Sequence, residues 1–236
     1  MKKIFFIPFL LVSFLFSQEF YAVVKPVEQY NIKSAVSGKI ITVNRKLEGK
    51  FVKNNTIIQI DDTLDKINLK QTQDKLNYLK EILEINQKTL TNFNKVSSKS
   101  QFDKDNQKIK ILNLQATISD LNFKIATLKD TISKKQININ NKYLYNLVAQ
   151  QGDWVNPGSL LCSVDDISKG KIEIFLPIDS VNRYKNKTIY INGKKTNLKI
   201  YKIYKIADTQ HISSYKCEII LPNITQFSNI VKITFK

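Results

Sequence analysis

The sequence predicts an α+β chain of several modules: a small β-sandwich split in two, an antiparallel α-helical coiled-coil hairpin inserted between the halves, and a C-terminal β-barrel. Three observations lead there. Residues 69–139 carry two heptad seams with no Gly or Pro in either. A turn motif of ten residues stands once before that stretch and once after it. From Lys171 onward, apolar and polar residues alternate with the period of a half-buried strand.

Residues 1–17 have a basic start at Lys2 and Lys3, an apolar run over 4–16 and a small residue at Ser17, the layout of a secretory signal peptide. The run falls short of the about 20 residues of a membrane span, so cleavage near Gln18 is expected, with retention as a membrane anchor as the alternative. Residues 18–62 then hold an N-terminal strand at 21–24, stopped by Pro26, and the first half of the sandwich. Short strands are expected at 36–43, entered through Gly38, at 50–52, entered through Gly49, and at 57–60, closed by Asp61 and Asp62. Four strands are too few to stand alone.

The hairpin takes residues 63–138. In its first arm Leu69, Leu76, Leu83 and Leu90 recur every seven residues, with Thr72, Leu79, Asn86 and Phe93 between them. In its second arm Ile111, Leu114, Ile118, Leu121, Ile125, Leu128 and Ile132 alternate by threes and fours. Between the arms, residues 96–101 read Val-Ser-Ser-Lys-Ser-Gln, which breaks the repeat with residues that favour caps and turns. The chain therefore reverses and pairs its own seams. At about 1.5 Å per residue, arms of roughly 33 residues reach about 50 Å, so the rod projects.

The second half of the sandwich, 139–168, follows. Gly152-Asp153-Trp154-Val155-Asn156-Pro157-Gly158-Ser159-Leu160-Leu161 matches Gly49-Lys50-Phe51-Val52-Lys53-Asn54-Asn55-Thr56-Ile57-Ile58 position for position. Residues 164–166 answer 60–62, with the first half one residue shorter near Gln59. Carried back, the same register sets Asn141 opposite Gly38, and Asn tolerates positive φ better than other non-glycine residues. An antiparallel rod returns the chain to its starting point, so the halves can close on each other. In 169–236, Ile172, Ile174 and Leu176 share a face, as do Ile189 and Ile191, then Tyr215, Cys217, Ile219 and Leu221, and then Val231, Ile233 and Phe235. Five or six such strands, broken at Pro177, Asn192-Gly193 and Pro222, suit a small barrel.

Composition excludes more than it assigns. The formal charge of +17 invites a nucleic-acid reading, but lysines recur along both helices and the C-terminal strands instead of gathering on one face with interleaved aromatics, and an exported chain has no nucleic acid to meet. Cys162 and Cys217 lie in different modules among apolar strand residues, which predicts two buried thiols, a bridge being the alternative in an oxidising compartment. No CxxC and no paired His leave nothing with metal-ligand spacing, and the lone His211 reads as solvated. Asp61-Asp62 and Asp165-Asp166 end equivalent strands, where Asp serves turns and helix starts, and Asp61 or Asp62 caps the first helix. No base is placed to activate the serines at 97–100. The expectation is a chain that is not an enzyme and holds no cofactor or metal.

A sandwich opened by Gly38-Lys39-Ile40, turned at Gly49-Lys50-Phe51-Val52, interrupted by a helical hairpin and turned again at Gly152-Asp153-Trp154-Val155-Asn156-Pro157-Gly158 resembles a split lipoyl/biotinyl-like domain. That arrangement is similar to the periplasmic adaptor subunits, the membrane fusion proteins of the haemolysin D (HlyD) type. The resemblance runs from about Val36 to the C-terminus. It implies a periplasmic adaptor that bridges an inner-membrane transporter of the RND or ABC type and an outer-membrane channel protein in efflux, its copies packed into a homo-oligomeric ring. A type I protein-secretion adaptor is the alternative inside the family; a periplasmic coiled-coil regulator of envelope hydrolases and a carrier-type lipoyl domain are alternatives outside it. A carrier domain presents one modified Lys between its halves, where this chain has the hairpin, so Lys66 is a poor candidate for modification.

In the family the hairpin end meets the channel through a basic residue, an apolar residue a turn later, then a Ser followed by an aromatic residue and Asp. Ser98-Lys99, Phe102 and Asp103 match the second part. Leu90 or Phe93 stands for the apolar member, and Gln87 or Lys88 lies where the family favours Arg. The resemblance thus assigns the channel contact to Val96, Ser97, Ser98, Lys99, Phe102 and Asp103, and the lipoyl-like turns to Gly38, Gly49, Gly152 and Gly158. Family members usually add a membrane-proximal domain after the barrel, for which a chain ending at Lys236 leaves no room.

Overall fold

The computed structural model describes residues 18–236, so the signal-peptide reading lies outside the described residues. The chain forms two units, Tyr30–Val164 and a second made of Asp165–Lys236 with the described residues up to Gln29. Strand β1 (Glu19–Lys33) runs through Pro26 instead of stopping there. Its residues Glu19 to Val23 pair antiparallel with Thr234 to Ile230, and Val24 donates to the Asn229 carbonyl. Pro26 lies beyond that pairing, so its missing N–H removes no bond from it. The start of β1, grouped in sequence with the first half-sandwich, therefore belongs to the C-terminal unit.

In the unit Tyr30–Val164, β2 (Gly38–Val43) and β3 (Lys50–Ile60) precede helices α1 (Thr63–Lys95) and α2 (Gln101–Lys134), and β4 (Gln136–Leu147), β5 (Trp154–Val155) and the start of β6 (Leu160–Pro177) follow them. Two boundaries differ from the sequence reading. β3 is one strand rather than two, and the hairpin ends at Lys134 rather than at 138. Residues 136–140 alternate Gln-Ile-Asn-Ile-Asn, a strand period that no Gly or Pro announces, and β4 pairs along β3 from Gln136 to Leu144.

Ile40, Val52, Ile57, Ile58 and Ile60 from before the hairpin share one core with Ile139, Leu144, Leu147, Val155, Leu161 and Val164 from after it. The two halves bond reciprocally. The Gly152 N–H donates to the Ile40 carbonyl at 2.9 Å, and the Gly49 N–H donates to the Leu144 carbonyl at 2.8 Å. Ile40 and Leu144 are fully buried, so they are counterparts. Gly38 pairs with Val155 as Lys142 pairs with Val52, which makes Lys142, not Asn141, the counterpart of Gly38. The expected register fails because the connection 44–48 is one residue longer than 148–151. The compensating offset lies between Val52 and Ile57, not near Gln59, since residues 57–60 and 161–164 have the same sequence of burial. Asn141 nevertheless has φ 51°.

In the second unit, the remainder of β6 is followed by α3 (Val181–Tyr184), β7 (Ile189–Ile191), β8 (Lys194–Lys195), β9 (Ile200–Ile203), β10 (Ser214–Pro222) and β11 (Ile230–Phe235). The strand order is β9-β10-β6-β1-β11-β7-β8. Ala22 and Val24 of β1 join Ile172, Ile174, Leu176, Cys217, Ile219, Ile233 and Phe235 in one core. At the β7–β8 turn Asn192 and Gly193 have φ 50° and 80°, the two positive values that a two-residue hairpin requires. His211 is not simply solvated: its ring stacks on Phe175 with centroids 3.5 Å apart and lies 3.0 Å from Asp208. Among the described residues no helix is long and apolar enough to cross a membrane.

Candidate functional site

The hairpin tip is built from the seams outward. Leu69, Thr72, Leu76, Leu79, Leu83, Asn86, Leu90 and Phe93 of α1 are the shielded positions of their arm, as are Ile111, Leu114, Ile118, Leu121, Ile125, Leu128 and Ile132 of α2. The heptad reading thus gives the inward faces. It stops one step early. Gln107 extends the α2 seam, buried, and its side-chain amide donates to the Asn86 Oδ1 at 2.8 Å and to the Asn86 carbonyl at 3.0 Å. Asn86 in turn donates to the Ile82 carbonyl. Asn86 at a seam position was the signal: a buried amide needs a polar partner, and counting back four from Ile111 finds it.

At the base, Asp61 rather than Asp62 supplies the cap, accepting from the Thr63 N–H at 3.0 Å and from its hydroxyl at 2.7 Å. Those bonds hold the Asp61 carboxyl below the usual range. Asp62 and Lys66 pair at 2.9 Å. Lys135, where α2 gives way to β4, pairs with Asp65 and donates to the Asp61 carbonyl, so the two arms are tied together where they leave the β strands.

At the far end α1 stops at Lys95, and Val96 turns the chain with an extended backbone. Ser100 is the N-cap of α2, its hydroxyl accepting from the Asp103 N–H at 3.1 Å. Ser98 has no such role; Ser97 and Ser98 are exposed, and their hydroxyls bond to no described residue. The Lys99 ammonium sits 4.6 Å over the Phe93 ring and 4.0 Å from the Asp103 carboxylate. Phe102 is 74% exposed and Val96 46%, so neither packs the last layer of the coil. Residues 96–103 thus present an aromatic and an aliphatic side chain, two free hydroxyls and a Lys-Asp pair on one short turn. Gln87 and Lys88 lie apart, on the outer face of α1 in a shallow groove with Glu84, Thr91 and Lys95.

The four glycines lie at the other end of the rod, Gly38 at the start of β2 and Gly49, Gly152 and Gly158 in turns between strands. Gly49, Gly152 and Gly158 have φ 73°, 97° and 93°, where a side chain is strained. Gly38, with φ 158°, is required by proximity as well, since a Cβ there would stand 2.5 Å from Ile60 Cγ2. Among the described residues no three His, Cys, Asp or Glu converge as a metal site.

No family model matches the chain, and no curated protein matches it. Solved structures do. The membrane fusion protein Spr0693 from Streptococcus pneumoniae R6 superposes with a TM-score of 0.71 at 8% identity, over 93% of this chain and 99% of that one. A MacA-MexA chimeric protein carrying the Pseudomonas aeruginosa MexA α-hairpin domain gives 0.68 at 16% identity, over 93% and 82%. MacA from Actinobacillus actinomycetemcomitans gives 0.62 at 16%, over 93% and 79%. The fold is that of the membrane fusion proteins. The α+β architecture with its helical hairpin matches theirs across nearly the whole described chain.

Proposed function

We propose that the protein is an exported, non-catalytic adaptor that works in the periplasm, bridging an inner-membrane transporter and an outer-membrane channel in efflux. The observation that carries the reading is the tip. Phe102 and Val96 are exposed and Ser97 and Ser98 are unbonded at the end of a rod about 50 Å long, while Ser100 caps α2 and Lys99 braces the turn against Phe93 and Asp103. Side chains that contribute nothing to the turn are available to a partner. In this reading Val96, Ser97, Ser98, Lys99, Phe102 and Asp103 meet the channel's helices, Phe102 entering a groove as an apolar anchor and Ser98 allowing close backbone approach. The β strands around Gly38, Gly49, Gly152 and Gly158 are a lipoyl-like module without a carrier lysine, and the second unit is the adaptor's β-barrel. Copies pack side by side as a ring whose bore is continuous with the transporter.

The test places a photocrosslinking residue at position 98 in cells and analyses the outer-membrane fraction. A crosslink to a channel-type outer-membrane protein is expected. Ser98→Arg should abolish it and stop transport, while stability changes by no more than about 0.5 kcal/mol, as for other exposed substitutions. No outer-membrane adduct, or a Ser98→Arg protein that still assembles and transports, would overturn the assignment.

A further inference from the structure

The positive charge is not evenly spread once the chain is folded. Between Asp179 and Asp208 the sequence carries Arg183 and seven lysines and no carboxylate. The fold gathers four of these, Lys185, Lys187, Lys195 and Lys199, around one cleft of about 400 Å³ in the C-terminal unit, completed by Asn and Thr side chains and Leu198. Both walls are pinned. The segment before β7 is tied to the chain end, Thr188 and Lys236 exchanging backbone bonds at 2.9 and 3.1 Å. The segment after β8 is folded under by Thr196, whose hydroxyl donates to the Ile189 carbonyl at 2.7 Å and accepts from the Leu198 N–H at 3.4 Å. None of the four lysines has a carboxylate partner among the described residues, in a chain where Lys25, Lys66, Lys134 and Lys135 each do.

We infer that this cleft binds the phosphate headgroups of an anionic membrane surface. Lysines act on phosphate as mobile point charges, whereas planar carboxylates are better held by the fork of Arg, which the lining lacks. No aromatic side chain lines the cleft, so a nucleotide base would find nothing to stack on. The four lysines of the lining also outnumber what one free phosphate neutralises. A lipid surface presents many phosphates at once, and clustered lysines beside such a surface act together. The inference stands on the cleft and not on the adaptor reading.

The test is sedimentation of the protein, lacking residues 1–17, with vesicles of phosphatidylcholine alone or mixed equally with phosphatidylglycerol. Binding only to the anionic vesicles is expected. Lys195→Glu/Lys199→Glu should weaken it by about thirtyfold or more. Lys124→Glu/Lys129→Glu, the same change in net charge on the exposed face of α2, should leave it within about twofold. Circular dichroism melting checks that both variants remain folded. Equal losses in the two variants would mean that only net charge acts, and no binding to anionic vesicles would dismiss the lipid; either overturns the inference. Tight binding of inorganic phosphate, or of an acidic peptide, without vesicle binding would overturn it in favour of that ligand.

Discussion

A methyl group added at Gly38 would collide with Ile60 Cγ2 at 2.5 Å, in the middle of the core shared by both halves. The φ of 158° is also one that L side chains rarely adopt, so backbone strain adds to the steric conflict. Gly38→Ala should destabilise the protein by about 1–3 kcal/mol, read as a lower melting temperature. Gly152→Ala meets no atom within 4 Å and should cost only the strain of positive φ, about 1 kcal/mol. A second residue-scale prediction concerns the thiols. Cys162 and Cys217 are free and buried, and burial pushes both up to about 11. The unfolded chain ionises them near the ordinary thiol value of 9.0, while the folded chain keeps them protonated. Their contribution to stability is therefore complete below that value and is lost as pH rises through about 11, because the unfolded state releases its protons first. An aromatic disulfide reagent at neutral pH should find no reactive thiol until denaturant is added; rapid labelling of the native protein would refute the burial.

Within the hairpin, Asn86 and Gln107 form a polar layer between Leu90 and Leu83, in a seam whose other members are apolar apart from Thr72. Such a layer fixes alignment more than it stabilises, since slipping one arm by a heptad would leave both amides buried against hydrocarbon. Gln107→Ala should therefore lower stability by about 1–3 kcal/mol by stranding the Asn86 Oδ1. Asn86→Leu/Gln107→Leu should recover or exceed the original melting temperature while letting the arms slip, detected as heterogeneous disulfide trapping between cysteines placed across the seam. A double variant that melts as low as the single would show that the layer is not a trade of stability for register. The layer was half legible. Asn86 sits in the heptad of Leu83 and Leu90, but a seam traced by Ile and Leu begins at Ile111 and passes over Gln107.

Across the whole molecule, what the sequence declared was whatever repeats locally. The leucine heptads, the strand alternation at Ile172 to Leu176 and the paired turn glycines each show within a few residues. What it hid depends on partners far along the chain: β1 against β11, the one-residue offset that pairs Gly38 with Lys142 in role, and the lysines gathered from 185 and 199 into one cleft. The tip was legible as a break in the repeat, yet only coordinates separate capping Ser100 from unbonded Ser98. Reach is the property that joins these scales. Residues 76–82 of α1 face 111–117 of α2 in the register set by Asn86 and Gln107. Deleting both segments removes one heptad from each arm, keeps the seams in phase and preserves both the polar layer and the Asp65–Lys135 tie at the base. The rod should shorten by about 10 Å, visible by small-angle scattering, with the core of the β strands at its base unchanged. Deleting 76–82 alone should misalign the arms, since the polar layer and the basal tie could no longer form together, and lower the melting temperature sharply. If the matched deletion melts as badly as the single one, the rod is not an independent spacer.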